Sequence, residues 1–274
     1  MEARRETCWN ARVDERAVLG LFDEQMRRDA PPDAPGTKVE RFGGVVRQTG
    51  AGVQGWTGVL WSDLDEESAD EAITSQVRWL ASPEGKGREF EWKLYSHDRP
   101  ANLGSRLKAA GFVPDPPETL LIAELAELAT DAEPPEGVRL EQVTDATGVD
   151  LMARVHDAAF GTSFTRLRER LLDQLEHSAG TVTMTLAMAG DEPICGARLE
   201  FHPGTDFASL WGGGTVEAWR GRGVYRAMIA HRARIAAAKG IRFLQVDASE
   251  DSRPILQRLG FVALSTTTPY LKQG

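Results

Sequence analysis

The stretch Leu210-Trp211-Gly212-Gly213-Gly214-Thr215-Val216-Glu217-Ala218-Trp219-Arg220-Gly221-Arg222-Gly223-Val224-Tyr225-Arg226-Ala227-Met228 governs how the rest of the chain is read. Its first part closes an apolar strand over 207–216. Gly221-Arg222-Gly223 then reads as a turn that opens a helix over 223–239. A strand, a glycine turn and a helix in that order form a phosphate-binding arrangement. The first N–H groups of a helix lack intrahelical acceptors, the helix dipole is positive there, and glycine lets phosphate oxygens reach the main chain. Between Glu217 and Asp247 there is no acid, while Arg220, Arg222, Arg226, Arg232, Arg234, Lys239 and Arg242 are all basic. A solvated helix face accounts for Arg232 and Arg234. It does not account for two glycines where a helix begins.

The local charge matters because the whole chain is acidic. Lys and Arg number 32 against 41 Asp and Glu, a net charge of −9, which opposes nucleic acid or an anionic membrane as a partner of the whole surface. With 274 residues, 41% apolar and 27% charged, the chain is long enough for two cores. Cys8 and Cys195 are too few for a disulfide framework or a cysteine-rich metal site, and a reducing cytoplasm is expected. No leader-like apolar run follows Met1, and no stretch has the ~18 apolar residues of a membrane span.

Thr130-Asp131-Ala132-Glu133-Pro134-Pro135-Glu136-Gly137 interrupts the periodic segments and reads as a linker. Before it the pattern predicts a helix over 14–29, strands over 38–48 and 54–61, a helix over 66–81, a strand over 89–95, a helix over 100–110 and a strand over 118–125. After it come a strand over 138–143, helices over 147–159 and 164–177, and strands over 181–189, 194–202 and 207–216. The helix over 223–239, a strand over 241–247, a short helix over 251–259 and a strand over 261–271 follow. Both halves close alike. Leu107 and Leu256 each precede a Gly-Phe-Val triplet by the same spacing, Gly111-Phe112-Val113 and Gly260-Phe261-Val262, with glycine where a helix ends. A duplicated α/β unit is the reading adopted.

At these residues the sequence resembles the GNAT superfamily of acyl-CoA N-acyltransferases. The family signature, Arg/Gln-x-x-Gly-x-Gly/Ala, falls on Arg220, Gly223 and position 225, where Tyr225 replaces the usual small residue. Leu256-Gln257-Arg258-Leu259-Gly260-Phe261 is similar to the later helix-to-strand signature, and the resemblance covers about residues 138–271. It implies a mixed α/β (α+β) fold of two GNAT-like domains, each a mixed, mostly antiparallel sheet flanked by helices. The divisions expected are 1–129 as a degenerate copy, 130–137 as linker and 138–274 as the catalytic domain. It further implies acetyl-CoA as cosubstrate, without a metal. Thr215 and Val216 would contact the pantetheine arm, and Arg220, Gly221, Arg222, Gly223, Val224 and Tyr225 would hold the diphosphate. Main-chain N–H groups of the splayed strand would orient the thioester carbonyl.

The first half lacks such a loop. Trp61-Ser62-Asp63-Leu64-Asp65-Glu66-Glu67-Ser68-Ala69-Asp70 offers acids that complement a helix dipole and repel a diphosphate. Trp92, Tyr95, His97, Asp98 and Arg99 form either a wall of an acceptor pocket or ordinary packing around a capped turn.

Transfer to an alkylamine of pKa near ~10 needs a base. In many relatives of this kind a tyrosine four residues before the Gly-Phe pair acts as acid, and here that position is Leu256. Glu200, His202 and Asp247 are the candidate bases, each with an alternative as an exposed strand-end residue; Ser249 and Ser252 either contact the cofactor arm or cap the next helix. His231 reads as a core-edge residue. The expected function is N-acetylation of a small-molecule or peptide amine in a bacterial cytoplasm. A non-catalytic acyl-CoA sensor is the alternative, and a dinucleotide site is disfavoured by Arg226 at the third glycine position. A homodimer is left open, as is the identity of the acceptor.

Overall fold

The computed structural model describes residues 14–53, 55–161, 165–177 and 180–274. Cys8, the N-terminal stretch read for a leader, and the outer residues of the segments expected from 54 and from 164 lie outside them. The first half runs α1 (Glu15–Phe22), a π-type turn (Asp23–Arg28), β1 (Lys38–Phe42), β2 (Val45–Thr49), β3 (Thr57–Ser62), α2 (Ala69–Leu80), β4 (Glu89–Tyr95), α3 (Leu103–Ala109), β5 (Val113–Pro114) and β6 (Glu118–Glu124). The second runs β7 (Val138–Val143), α4 (Ala146–Phe160), α5 (Thr165–His177), β8 (Val182–Ala189), β9 (Glu192–Phe201), β10 (Phe207–Thr215), α6 (Val224–Ala238), β11 (Phe243–Ala248), α7 (Arg253–Arg258) and β12 (Val262–Gln273). The strand expected over 38–48 is instead a hairpin. Gly43 and Gly44, at φ +55° and +75°, supply the left-handed pair that a two-residue turn requires.

The twelve strands among the described residues form one mixed sheet in the order β1-β2-β3-β4-β12-β6-β11-β10-β9-β8-β7, with β5 beside β12. The two final strands are crossed over between the halves. β12 lies between β4 and β6, both from the first half. β6 lies between β12 and β11, both from the second. Around the β6–β12 centre the halves repeat each other. Phe112 N donates to Leu107 O (3.0 Å) and Phe261 N to Leu256 O (3.1 Å), closing α3 and α7 over glycines at φ +84° and +108°. The shared Leu-x-x-x-Gly-Phe spacing is thus one helix stop used twice.

Cores follow the crossed strands. Leu121, Ala123 and Leu125 of the first half are buried with Leu199, Ile229, Leu256 and Phe261 of the second, under α6. Tyr270 of β12 is buried in the first half's core with Phe90, Trp92 and Leu103. At about 1.5–3 kcal/mol per buried large side chain, neither half closes its core without the other's last strand. The opposite face of the sheet is covered by α4. Asp145 caps it by accepting from Gly148 N (2.8 Å), Gly161 ends it at φ +68°, and its buried Val149, Met152 and Val155 recur every three residues. A Cβ on Gly196 of β9 would lie 3.7 Å from Val155 and 3.8 Å from Met152, so α4 packs directly over this strand.

Arg232 differs from the expectation of a solvated helix face. It is 1% exposed, and donates to Arg198 O (2.9 Å) and Met228 O (3.3 Å). Its position on α6 faces the sheet, so the guanidinium serves main-chain carbonyls.

Candidate functional site

β10 and β11 run parallel but pair only from Phe207↔Phe243 to Ser209↔Gln245. Beyond that β10 bulges between Trp211 and Gly214 against β9, and the two strands separate. The bulge has a local cause. Gly212 takes φ +59°, and a Cβ on Gly213 or Gly214 would lie 2.8 Å from the Tyr225 ring or 2.6 Å from the Phe160 ring. The glycine run therefore lets α4 and α6 close on the strand from either side.

After β10 the chain makes a single 3-10 turn over Glu217–Trp219 and enters the loop. Gly221 and Gly223 sit at φ +74° and +86°. The first backbone bond into α6 runs from Ala227 N to Gly223 O (3.0 Å), and no side chain caps the helix. The N–H groups of residues 221–226 have no acceptor among the described residues. A Cβ on Gly221 would meet nothing within 4 Å, and one on Gly223 only the Arg226 guanidinium at 3.8 Å. This leaves an open cradle of main-chain donors at the positive end of a fifteen-residue helix. Arg222, stacked 4.9 Å over Trp219, and Arg226 are exposed beside it and make no ion pair among the described residues. The donor set, charge and open glycines fit a diphosphate.

Arg220 is placed differently from its neighbours. Its guanidinium donates to Thr215 O (3.1 Å) and Ala159 O (3.0 Å), bracing the loop against the end of α4. Val216 N donates to Ile194 O (3.0 Å), and Thr215 Oγ1 donates to the buried Cys195 sulfur (3.3 Å). Tyr225 turns its ring onto Gly213, and burial pushes its phenol pKa up. Val224 is 1% exposed. For these two residues only the main chain faces the cradle. Ser249 accepts from Ser252 N (3.4 Å) in the turn before α7, and Ser252 makes no side-chain cap.

The three candidate bases are all largely buried, which corrects their reading as exposed strand-end residues. Glu200 lies opposite Ser209, paired with Arg198 (3.4 Å) and Arg170 (3.9 Å). His202 hydrogen-bonds Ser209 Oγ through Nε2 (2.6 Å), and burial pushes its pKa down against the pull of Glu200. It lies near the closed end of β10, about 13 Å of strand from the bulge. Asp247 lies beside the open end, its side chain 3% exposed and ion-paired with Lys93 Nζ of β4. Leu256 is 0% exposed in the core under α6.

Sequence reasoning missed what β4 and β6 bring here. Tyr95 and Glu118 both pair with Thr267, and Leu120 pairs with Asp247. With side chains alternating along each strand, Lys93, Tyr95, Glu118, Thr267, Asp247 and Gln245 share one face. Lys93 Nζ is 5.8 Å from the Trp211 ring centre. No single-strand pattern could have signalled this, because the residues meet only through the crossed strands. Of the cluster read at 92–99, Tyr95 lies on this face, while Trp92 and Asp98 serve packing and a capped turn. Trp92 is 0% exposed, and Asp98 accepts from Tyr95 N (2.9 Å) and from the buried Arg27 (2.7 Å). A cavity of about 470 Å³ between Pro32–Pro35 and His177, Thr181 and Pro203 opens at the other end of β10.

No family model matches the sequence, and no curated protein does. Solved structures do match. A GCN5-related N-acetyltransferase from Kribbella flavida aligns over 95% of this chain and 94% of its own, with TM-score 0.64 and 16% identity. A tandem GNAT protein from the clavulanic acid biosynthesis pathway aligns over 93% and 92%, with TM-score 0.61 and 15% identity. A protein of unknown function from Staphylococcus epidermidis aligns over 90% and 97%, with TM-score 0.65 and 14% identity. At these identities the likeness shows the fold, which is that of tandem GNAT proteins.

Proposed function

We propose that this chain, built on the tandem GNAT fold, is an N-acetyltransferase that takes its acetyl group from acetyl-CoA and passes it to a primary amine by direct transfer. The observation that carries the reading is the row of unpaired N–H groups over 221–226, open beside Arg222 and Arg226. Those donors hold a pyrophosphate without side-chain reading, as helix N-termini do. The gap where β10 and β11 part would admit the pantetheine arm and bring the thioester to the bulge. Bulge N–H groups there would stabilise charge developing on the carbonyl oxygen. Arg220 acts by fixing the loop to α4. Among its described residues the first half has no glycine turn opening a helix as at 221–223, and its part in this scheme is to supply side chains to the acceptor side.

The test is calorimetry of acetyl-CoA binding to the wild type and to Arg222→Glu/Arg226→Glu. Both side chains are exposed, so the fold is left alone. The double variant should bind at least tenfold more weakly, and wild-type affinity should fall as salt rises. Unchanged affinity would remove the loop from the site. Release of CoA thiol with an amine panel tests the chemistry, and binding without turnover on any amine would favour a sensor.

A further inference from the structure

On the face that Lys93 and Asp247 share, the polar atoms buried without a hydrogen-bond partner among the described residues include Asp247 Oδ1, Gln245 Oε1, Thr267 Oγ1 and Trp211 Nε1. Gln245 and Thr267 are 5% and 0% exposed, and the Asp247 side chain 3%. Gln245 is fixed through Nε2, which donates to Ser209 Oγ (2.5 Å), and its carbonyl oxygen has no hydrogen-bond partner among the described residues. Leaving such groups unpaired is unfavourable, and a molecule carrying N–H donors and an oxygen acceptor would satisfy them. Carboxylates outnumber cations here. Glu91, which accepts from Trp56 Nε1 (2.7 Å), Glu118 and Asp247 face a single lysine. The face suits a cation and disfavours a phosphate or carboxylate on the ligand.

Resting on the acetyltransferase reading, we infer that this face seats the acceptor, a small cationic primary amine bearing a neutral oxygen, and that Glu118 takes the ammonium proton. Glu118 stands one diagonal step from Asp247 across β6 and β11, a separation of about 7–8 Å between Cα atoms that an ammonium bridges. The groups facing it are Asp247 from β11, Lys93, Glu91 and Tyr95 from β4, Thr267 from β12, and Asp115 before β6. Burial, and then repulsion from Asp247, push its pKa up to about 7 against the pull of Lys93. A base poised there both accepts a proton near neutrality and returns it to solvent. The amine gives one proton to Glu118, and its lone pair attacks the thioester carbonyl carbon. The C–N bond forms and the C–S bond breaks. The departing thiolate takes the second nitrogen proton, and Glu118 loses its proton to water.

Glu118→Gln should leave acetyl-CoA affinity within about twofold of wild type. It should lower kcat about a hundredfold and abolish the rising limb of kcat near pH 7, while Glu118→Asp restores part of both. An unchanged pH profile in Glu118→Gln, with acetyl-CoA bound, would overturn the inference and leave the transferase reading standing. Failure of acetyl-CoA to bind would instead sink that reading. The amine site is then still judged by calorimetry of amines with the free protein. An amino alcohol should bind with release of a fraction of a proton at pH 7, read from two buffers of different ionisation enthalpy, and with no release in Glu118→Gln. α-Amino acids should bind at least tenfold more weakly. Equal binding of amino alcohols and α-amino acids, or proton release unchanged by Glu118→Gln, would refute the assignment.

Discussion

α2 and α6 follow equivalent strands in the two halves, and their N-termini have opposite fates. Ahead of α2, Asp65 folds back and accepts from Glu67 N (3.1 Å), Ser68 N (2.8 Å) and Ser68 Oγ (2.6 Å), and these bonds hold its carboxyl below the usual range. Ahead of α6, glycines occupy the turn and no acceptor among the described residues meets the N–H groups of 221–226. In the first copy a carboxylate takes up N–H groups of the turn that leads into the helix, and in the second the corresponding N–H groups have no acceptor among the described residues.

The largest effect is expected where the first copy enters the second's site. Lys93→Met would leave the Asp247 carboxylate buried and unpaired, costing about 3–5 kcal/mol of stability by denaturant unfolding. A loss under 1 kcal/mol would mean the seam is looser than its geometry. Next, Gly223→Asp imports the first copy's device into α6. Acetyl-CoA affinity should fall about a hundredfold, near 2.7 kcal/mol. Retained affinity would show that an open terminus is not what separates the copies. Leu256→Tyr tests whether a tyrosine at this position can act as an acid here. Because Leu256 is fully buried under α6, the change should cost about 1–3 kcal/mol by overpacking and yield no gain in kcat. Asp65→Ala should lower the thermal-unfolding midpoint slightly and confer no second acetyl-CoA site; two-site binding would break the comparison.

The last effect is a slope. Folded Glu118 holds a proton up to about pH 7, whereas the unfolded carboxyl releases it near 4.5. In that window the folded state binds more protons, so stability falls as pH rises from about 4.5 to about 7. Glu118→Gln should flatten that part of the thermal-unfolding profile.

The loop and the duplication were legible because both are local. Glycines at positive φ, uncapped helix starts and the Leu-x-x-x-Gly-Phe stop are written within a few neighbouring residues. The hairpin at Gly43-Gly44 was equally local and was passed over by reading hydrophobic alternation alone. Arg232 was misread because charge in a helix suggests water, while its place on α6, one turn after the buried Met228, suggests burial, and position won. The seam was not legible. Lys93 and Glu118 lie on unremarkable strands, and their nearness to Asp247 depends on which strand pairs with which, a long-range choice that periodicity does not encode.

The crossed final strands also order the molecule's birth. While a ribosome is still making the second half, β4 has no β12 beside it, and the first half's β6 has no β11. The earlier unit must wait with an open sheet edge until residues up to Gln273 have emerged, a state prone to mispairing with other nascent chains. For the same reason, a protease cut between 130 and 137 should leave two fragments that travel together until denaturant parts them.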